Sequence, residues 1–160
     1  TNAYSFVIKD KTLLDKKKIK KLKLPNSPLL KQLAQGKDIT FNGKKIKSSS
    51  VTYHEKGRKV TFVLDTAINS NAVRLAKDSD ILISESTFMF DSEKGEALAK
   101  ERSHMTAKDA ATIAKQSKSK KLILTHISQR YEGNFKPIEA EAKKVFKNTQ
   151  IAKDFMTLEI

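Results

Sequence analysis

Short apolar runs alternate with amphipathic stretches in the second part of the chain. The runs KVTFVLDT, DILISEST and KLILT have the length and the β-branched content of buried strands. Three stretches have the pattern of short helices, Asn69–Lys77, Thr106–Ser117 with Thr106 as its N-cap, and Ile138–Phe146. A last strand is predicted over Phe155–Ile160. Strands that alternate with helices predict an α/β layered domain.

The first 58 residues have a different pattern, in which small elements are expected to share little core. Tyr4–Ile8 alternates weakly and indicates a strand. Lys11–Leu24 places its apolar residues on one narrow stripe of a predicted helix, and lysines cover the other faces. Pro28 begins a short helix, and Asn42-Gly43 is a two-residue hairpin turn between short strands. This part is therefore expected to be an appendage.

Length and composition narrow the classes of protein. A chain of 160 residues suits one domain, and 38% hydrophobic with 31% charged residues predicts a soluble globular protein. No apolar run approaches the roughly 18 residues of a membrane span, and TNAYSFVIKDK lacks the layout of a signal peptide. The chain has no cysteine, so a bound metal would need His, Asp or Glu ligands. A cytoplasmic location is the default expectation.

The positive charge is concentrated near the start of the chain. The net charge is +14, and residues 1–50 contain 13 lysines against three aspartates, a net charge of +10. Such a field attracts polyanions, with nucleic acid the first candidate and an anionic membrane surface the second. The alternative is a lysine-rich composition with no binding role, as in many hyperthermophile proteins.

Three predicted strands end in residues that bear chemistry: Asp65, Glu85 and His126. Sites in open α/β sheets gather beyond the carboxyl ends of the strands, so these side chains are expected to converge. His104 lies two residues before the Thr106 cap, close to a helix N-terminus. Aspartate and histidine are suitable zinc ligands.

Each of these candidate site residues also has an ordinary structural interpretation. An aspartate after a strand more often caps a turn than binds a metal. A single histidine is more often a hydrogen-bonded structural residue than a ligand. Arg130 could be solvated, His54 is expected at the surface, and the lysines of the predicted first helix could form a solvated face. Two ligands do not make a zinc site, which needs three or four.

Longer stretches carry a resemblance to a known family. VLDT, DILISESTF, SHMTAKDAATIAKQSKSKKLILTHISQRY and FKNTQIAKDFMTLEI resemble consecutive motifs of the ribonuclease Z family, the tRNA 3′-processing endonucleases of the metallo-β-lactamase superfamily. LPNSPLLKQLAQGKDITFNGKKIK is similar to the family's protruding tRNA-binding arm. The resemblance implies half of a metallo-β-lactamase αβ/βα sandwich with an inserted basic arm. Residues 1–8 would be a strand of the sandwich, 9–50 the arm, and 51–160 the C-terminal half of the metallo-β-lactamase domain.

The same resemblance implies roles for individual residues. Asp65 matches the aspartate that bridges two zinc ions, and His126 matches a histidine ligand of zinc. Glu85 and His104 match a carboxylate–imidazole pair that protonates the departing 3′ oxygen or steadies the scissile phosphate. Arg130 matches an arginine near that phosphate. Further contacts with tRNA are expected from Lys16, Lys17, Lys18, Lys20, Lys21, Lys23, Pro28 and Ser128.

The chain also departs from the family pattern. The HxHxDH motif, which supplies most zinc ligands, is absent, and the sequence has only three histidines. The resemblance therefore covers the second half of the enzyme, and two zinc ions would need ligands from the missing half. Ser84 replaces a histidine before the glutamate, and Ser27-Pro28 replaces Gly-Pro in the arm. Without the missing half, we expect apolar side chains of the sheet to be left exposed, namely Ile81, Ile83, Leu122 and Leu124 or their neighbours.

The implied function is a zinc-dependent endonuclease that removes the 3′ trailer of precursor tRNA and leaves a tRNA 3′-hydroxyl. It would be active only when completed by the HxHxDH half. The alternatives are a noncatalytic tRNA-binding module and an inactive fragment of such an enzyme. The expected partners are precursor tRNA, the missing N-terminal half and a second copy in a homodimer, with no membrane.

Overall fold

The computed structural model describes residues 2–90 and 94–160, so Thr1 of the expected first strand lies outside the described residues. The chain divides into two compact units. The sheet unit consists of the described residues of Thr1–Val7 and Arg58–Ile160, and the arm unit consists of Ile8–Gly57. The arm unit continues seven residues beyond the expected end of the arm at residue 50.

The secondary structure of the described residues comprises short strands and helices. The strands are β1 (Asn2–Ile8), β2 (Lys11–Leu14), β3 (Ile39–Phe41), β4 (Lys44–Ile46), β5 (Thr52–Glu55), β6 (Arg58–Leu64), β7 (Ile81–Glu85), β8 (Lys121–Thr125) and β9 (Thr149–Ile151). The helices are α1 (Lys16–Lys21), α2 (Pro28–Ala34), α3 (Ser48–Val51), α4 (Ser70–Ala76), α5 (Gly95–Glu101), α6 (Ala107–Gln116) and α7 (Lys136–Val145), and Gln129–Tyr131 forms a 3-10 turn.

The sheet unit is built on a five-stranded sheet with the order β1-β6-β7-β8-β9. The strands β6, β7, β8 and β9 are parallel, and Leu82 of β7 pairs with Leu122 of β8. The main core packs helices α4, α6 and α7 on one face of this sheet, around Val63, Leu82, Leu122 and Leu124. The predicted α/β layered architecture is therefore confirmed.

Helix α6 begins where the sequence predicts it. The Thr106 hydroxyl accepts a hydrogen bond from the Asp109 amide at 3.1 Å, and the Asp109 carboxylate accepts one from the Thr106 amide at 3.0 Å. This reciprocal capping box satisfies two amides that the first turn leaves free. The cap fixes the backbone two residues after His104.

Of the four residues expected to lack cover, only Ile83 is partly exposed, and the larger exposed apolar surface lies on a neighbouring strand. Leu122 and Leu124 are fully buried against the helices, and Ile81 is only 3% exposed. On β1, Tyr4 is 57% and Phe6 is 65% exposed. Phe6 makes an edge-on contact with Phe62 of β6, with ring centroids 5.9 Å apart. The lack of cover thus falls on the neighbouring edge strand.

The prediction of a last strand over Phe155–Ile160 is wrong. The last strand is β9, and the Ala152 amide then donates to the Leu124 carbonyl at 2.8 Å. Phe155 has a left-handed φ of 62°, which an extended strand does not allow. The Met156 amide bonds the Lys153 carbonyl at 3.0 Å and closes a turn there.

The prediction of one helix over Lys11–Leu24 is wrong in its first third. Residues Lys11–Leu14 form β2, which pairs antiparallel with β5. The helix is only α1, because the Asp15 carboxylate accepts hydrogen bonds from the Lys17 and Lys18 amides at 3.0 and 3.1 Å. Asp15 is therefore an N-cap that separates the strand from the helix.

The arm unit has a core of its own, contrary to the expectation of little shared core. Five buried side chains from separate elements form it: Leu24, Leu33, Ile39, Ile46 and Val51. The predicted Asn42-Gly43 hairpin turn is confirmed, with left-handed φ values of 49° and 73°. Ser27 has an extended backbone with a φ of −146°, so serine is not strained in the place of the family's glycine.

The Asp10 carboxylate links the two ends of the arm unit to each other. Asp10 accepts a hydrogen bond from the Gly57 amide at 2.7 Å and contacts the exposed His54 ring at 3.1 Å. The Gly57 amide, followed by His54, holds the pKa of Asp10 below its ordinary value. A Cβ at Gly57 would overlap the Ile8 carbonyl oxygen and lie 2.9 Å from the Asp10 amide nitrogen. Residue 57 therefore has to be glycine for this closure.

Gly57→Ala is expected to loosen the base of the arm unit. The added methyl group would force the backbone of Ile8 or Gly57 to shift, at a cost of about 1–3 kcal/mol. Amide hydrogen exchange should then speed up in β2 and β5 and stay unchanged in β7. Gln32→Ala, on an exposed position of α2, is the control and should leave both rates unchanged. Equal protection in the two variants would show that the backbone tolerates the methyl group.

Candidate active site

The candidate site lies where three parallel strands end. Asp65 follows β6, Glu85 ends β7, and His126 follows β8. The register pairs Glu85 with Thr125, so these ends lie at one edge of the sheet. Asp65 and His126 have left-handed φ values of 55° and 53°, an uncommon conformation for residues other than glycine. The strand ends therefore turn sharply at both residues.

Glu85 is the buried centre of the site. Its side chain is 0% exposed, and one carboxylate oxygen accepts a hydrogen bond from the Thr66 amide. The other oxygen accepts from the Thr87 hydroxyl at 2.8 Å and from the Met105 amide at 3.1 Å. His104 Nδ1 lies 3.1 Å from the same oxygen. Both oxygens are thus satisfied by protein donors, as a buried carboxylate requires.

His104 is held against Glu85 from a loop before α6. Its amide donates to the Ala99 carbonyl at 2.9 Å, and its ring packs edge-on against Phe88 at a centroid distance of 6.1 Å. Nδ1 lies 3.7 Å from an oxygen of the exposed Asp65. The side chain remains 19% exposed, so the ring is oriented by Glu85 and still accessible. The carboxylate–imidazole pair expected from the resemblance is formed in the structure.

The loop that follows β7 is tied to the loop that carries His104. The Phe88 amide donates to the Met105 carbonyl at 3.2 Å, and the Ala107 amide donates to the Phe88 carbonyl at 2.9 Å. The buried Glu141 carboxylate of α7 accepts hydrogen bonds from the Phe90 and Lys108 amides at 3.0 and 3.1 Å. Glu141 thus holds the loop after β7 and the first turn of α6, which follows the His104 loop. Its position in an amphipathic helix pattern does not indicate this role.

Thr87 connects Glu85 to His126, a role that the sequence does not predict. Its hydroxyl donates its one proton to Glu85, so its oxygen is left to accept from His126 Nδ1, 3.0 Å away. This arrangement puts the His126 proton on Nδ1 and leaves Nε2 with a free lone pair. The second ring nitrogen of a metal-binding histidine is commonly fixed in this way. A hydroxyl two residues after Glu85 was the only sequence signal for this role.

Arg130 and Ser128 lie together after β8. Arg130 Nε donates to the Ser128 hydroxyl at 3.2 Å, and its guanidinium carbon lies 5.1 Å from the centre of the Phe88 ring. The Ser128 amide donates to the Thr87 carbonyl at 3.1 Å. Arg130 is exposed, so its remaining donors are available to an anion near the site.

The donor atoms fit part of a zinc site. Glu85, His104 and His126 each offer a ligand atom, and these atoms lie within 4.8 Å of one another. Glu85 is a poor ligand here, because protein donors already occupy both of its oxygens. Asp65 and His126 are both exposed, and the Nδ1 contact with Thr87 leaves Nε2 of His126 as its possible ligand atom. These two residues suit zinc, which needs three or four ligands, so they would be part of a larger ligand set.

The expected tRNA-binding residues of the arm unit are at its surface. Lys16, Lys17, Lys18, Lys20 and Lys21 are exposed along α1, and Lys23 is exposed just after it. Pro28 is exposed at the first position of α2. The arm unit has 14 lysines against four carboxylates, a net charge of +10.

Sequence comparison identifies the class of protein that this fold and site define. The family described as Beta-lactamase superfamily domain matches residues 27–127, and the chain belongs to this superfamily. The solved structure of the metallo-beta-lactamase fold protein YhfI from Bacillus subtilis is similar, with a TM-score of 0.53 and 24% identity. That match covers 73% of this chain and 46% of YhfI, and at this identity it concerns the fold alone.

Within the superfamily, the resemblance to ribonuclease Z is confirmed. The chain is 43% identical over 142 residues to ribonuclease Z of Archaeoglobus fulgidus, which covers 88% of the chain and 45% of that protein. It is 37% identical over 166 residues to ribonuclease Z of Pediococcus pentosaceus, which covers 99% of the chain and 52% of that protein. The chain thus spans about half the length of these relatives.

None of the helices in residues 2–90 and 94–160 has the length and apolarity to cross a membrane.

Proposed function

We propose that the chain is one half of a zinc-dependent endonuclease that removes the 3′ trailer of precursor tRNA and leaves a tRNA 3′-hydroxyl. This half provides the side chains that act on the scissile phosphate. A segment with the HxHxDH motif completes the enzyme. The observation that carries this proposal is the convergence of Asp65, His126 and the Glu85–His104 pair at one sheet edge. Similarity to ribonuclease Z supports the choice of substrate.

In the proposed enzyme, Asp65 and His126 hold zinc together with ligands from the HxHxDH segment. Zinc supplies Lewis-acid catalysis at the phosphate. Thr87 keeps His126 in the tautomer whose Nε2 can act as a ligand. Two zinc ions are proposed for each complete site.

The remaining chemistry belongs to the side chains of this chain. Glu85 fixes His104 through Nδ1, so Nε2 is the nitrogen that gives a proton to the departing 3′ oxygen. Arg130 pairs with a non-bridging oxygen of the scissile phosphate, where negative charge grows in the transition state. Ser128 orients Arg130 through the contact at Nε. In this hydrolysis the oxygen of a water molecule bonds to phosphorus while the bond to the 3′ oxygen breaks, so the trailer keeps a 5′-phosphate. The proton from His104 is needed because the 3′ oxygen is a poor leaving group as an alkoxide.

A reconstitution assay tests the proposal. The full chain is combined with zinc and a polypeptide carrying the HxHxDH half, and a precursor tRNA with a labelled 5′ end is added. We expect one cleavage at the trailer boundary, with a product that poly(A) polymerase extends because its end is a 3′-hydroxyl. Native mass spectrometry of the same sample should show both chains and two zinc ions. A zinc-loaded complex of both chains that leaves precursor tRNA intact would overturn the proposed activity.

A noncatalytic tRNA-binding module is the second candidate, favoured by the charge and the separate core of the arm unit. In either case the lysines of α1 are proposed to bind the tRNA phosphate backbone, without reading sequence. Action in the cytoplasm and assembly into a homodimer are also proposed, by analogy with ribonuclease Z. Sedimentation of the completed enzyme with and without tRNA tests the dimer.

Neutralising α1 is expected to weaken tRNA binding and to flatten its salt dependence. In a variant with glutamine at Lys16, Lys17, Lys18, Lys20 and Lys21, each lost phosphate contact should make the negative slope of log K against log salt shallower by about 0.7–0.9. The affinity at low salt should fall at least about tenfold. Filter binding of a tRNA transcript at several salt concentrations measures both quantities.

A second variant controls for net charge. It carries glutamine at five exposed lysines of the sheet unit, namely Lys77, Lys115, Lys118, Lys147 and Lys153. Its total charge equals that of the α1 variant, but its salt slope should stay close to that of the unmodified chain. Equal losses in the two variants would mean that only the overall charge attracts tRNA.

A further inference from the structure

The arm unit contains an apolar groove beside its lysine helix. The groove has a volume of about 710 Å³ and is lined by Leu13, Leu14, Lys16, Ile19, Lys20, Leu24, Leu30 and Tyr53. A second concavity of about 490 Å³ shares Leu14, Lys16 and Tyr53 with it. Tyr53 therefore borders both concavities, and lysine side chains belong to the lining of each.

Tyr53 is placed as an accessible ring rather than as a core residue. It lies in β5 directly opposite Leu13 of β2, and its side chain is 52% exposed. The buried core of the arm unit is made by other residues and does not include Tyr53. A half-exposed aromatic ring with a leucine beside it offers one flat apolar surface to a ligand.

The charges around the groove favour a polyanion as the ligand. Lys16 and Lys20 line it directly, and Lys17 lines the adjoining concavity. The one carboxylate in these two linings is that of Asp15, and its Oδ1 already caps α1. A ligand that combines phosphates with flat apolar rings matches this combination of cations, leucines and an aromatic ring.

We propose that the groove receives an exposed nucleobase of the bound RNA, which stacks on Tyr53 while Lys16 and Lys20 pair with the flanking phosphates. This inference rests on the proposed binding of tRNA and adds base stacking to its backbone contacts. Stacking tolerates any base, because every base has a flat face, so it increases affinity without reading sequence. Its contribution also differs from that of the lysines in being insensitive to salt.

The first test compares two ligands with the unmodified full chain. One is a single-stranded RNA of twelve mixed nucleotides, and the other is an abasic ribose-phosphate strand of equal length and charge. We expect the abasic strand to bind about 5- to 150-fold more weakly, the range that base–aromatic stacking gives. The salt slopes of the two strands should be equal. Equal affinities for the two strands would overturn the proposal.

Variants at Tyr53 locate the stacking. Tyr53→Leu should lower the affinity for RNA to that for the abasic strand, and Tyr53→Phe should keep the affinity of the unmodified chain. Tyr53→Trp introduces the only tryptophan of the chain, and its fluorescence should be quenched by RNA and not by the abasic strand. Tyr4→Leu, at an exposed tyrosine of the sheet unit, is the matched control and should bind RNA normally.

The outcomes separate this inference from the function on which it rests. If the full chain binds no RNA, the proposed tRNA binding fails as well. If RNA binds with unchanged affinity to Tyr53→Leu, only the stacking fails and the lysine contacts stand. Self-association that Tyr53→Leu abolishes, seen by sedimentation without RNA, would instead assign the groove to a second copy of the chain and overturn the proposal.

Discussion

Precursor tRNA cleavage by the completed enzyme is expected to slow by about 10²- to 10⁴-fold when His104 is replaced by alanine, the usual contribution of a general acid. The reason is geometric: Glu85 holds Nδ1 of this ring at 3.1 Å and leaves Nε2 for the departing oxygen. Bound zinc should be retained. Single-turnover cleavage rates and metal content of the same preparation measure both expectations.

His54→Ala is the matched control, since it removes a histidine that is exposed and bonded to Asp10 in the arm unit. It should leave the cleavage rate within about twofold of the unmodified enzyme. The metal content decides between two roles for His104, because possible ligand atoms of His104, Glu85 and His126 lie within 4.8 Å of one another. Loss of zinc in His104→Ala would make His104 a ligand and would contradict its assignment as the general acid.

The strand ends of the site could be predicted because strand patterns are local. Asp65, Glu85 and His126 each follow a short apolar run, and parallel strands bring their carboxyl ends to one edge. The position of His104 follows from the helix cap two residues later, which is also a local signal. These four positions can therefore be predicted without knowing which loops contact one another.

The roles of Thr87 and Glu141 could not be predicted, because they depend on contacts between distant loops. Thr87 reaches His126 only because the loop after β7 is bonded to Met105 and Ala107. Glu141 looks like one polar position of an amphipathic helix, yet it is 4% exposed and bonds two amides more than 30 residues away. Such roles follow from the packed structure and not from spacing.

The arm unit shows the same limit for secondary structure. Lysines between leucines give the helical period, but the β2 strand is set by its pairing with β5, about 40 residues later. Asp15 is both the residue that ends the strand and the cap that begins the helix. Asp15 is a local cap signal in the sequence, but the helical spacing of the apolar residues on both sides of it favours one longer helix. Tertiary pairing overrode a weak helical propensity here.

Glu85→Gln is expected to destabilise the sheet unit by about 1–3 kcal/mol, the cost of leaving a buried donor unsatisfied. The carboxylate faces donors on both oxygens: Thr66 on one side, and Thr87, Met105 and His104 on the other. An amide has a single acceptor oxygen, so in either orientation its NH₂ group meets a donor. Urea unfolding of the chain measures the loss, and the Thr66 and Met105 amides should exchange faster.

Glu96→Gln is the control for the loss of one negative charge, which both substitutions cause. Glu96 is a half-exposed residue of α5 that pairs with Lys100 at 2.8 Å, and such a pair contributes little to stability. Its substitution should change the free energy of unfolding by less than about 0.5 kcal/mol. Equal unfolding curves for the two variants would show that the bonds to Glu85 do not hold the site. A loss confined to Glu85→Gln would mean that the bonds to this carboxylate stabilise the sheet edge, through the same oxygen that contacts His104.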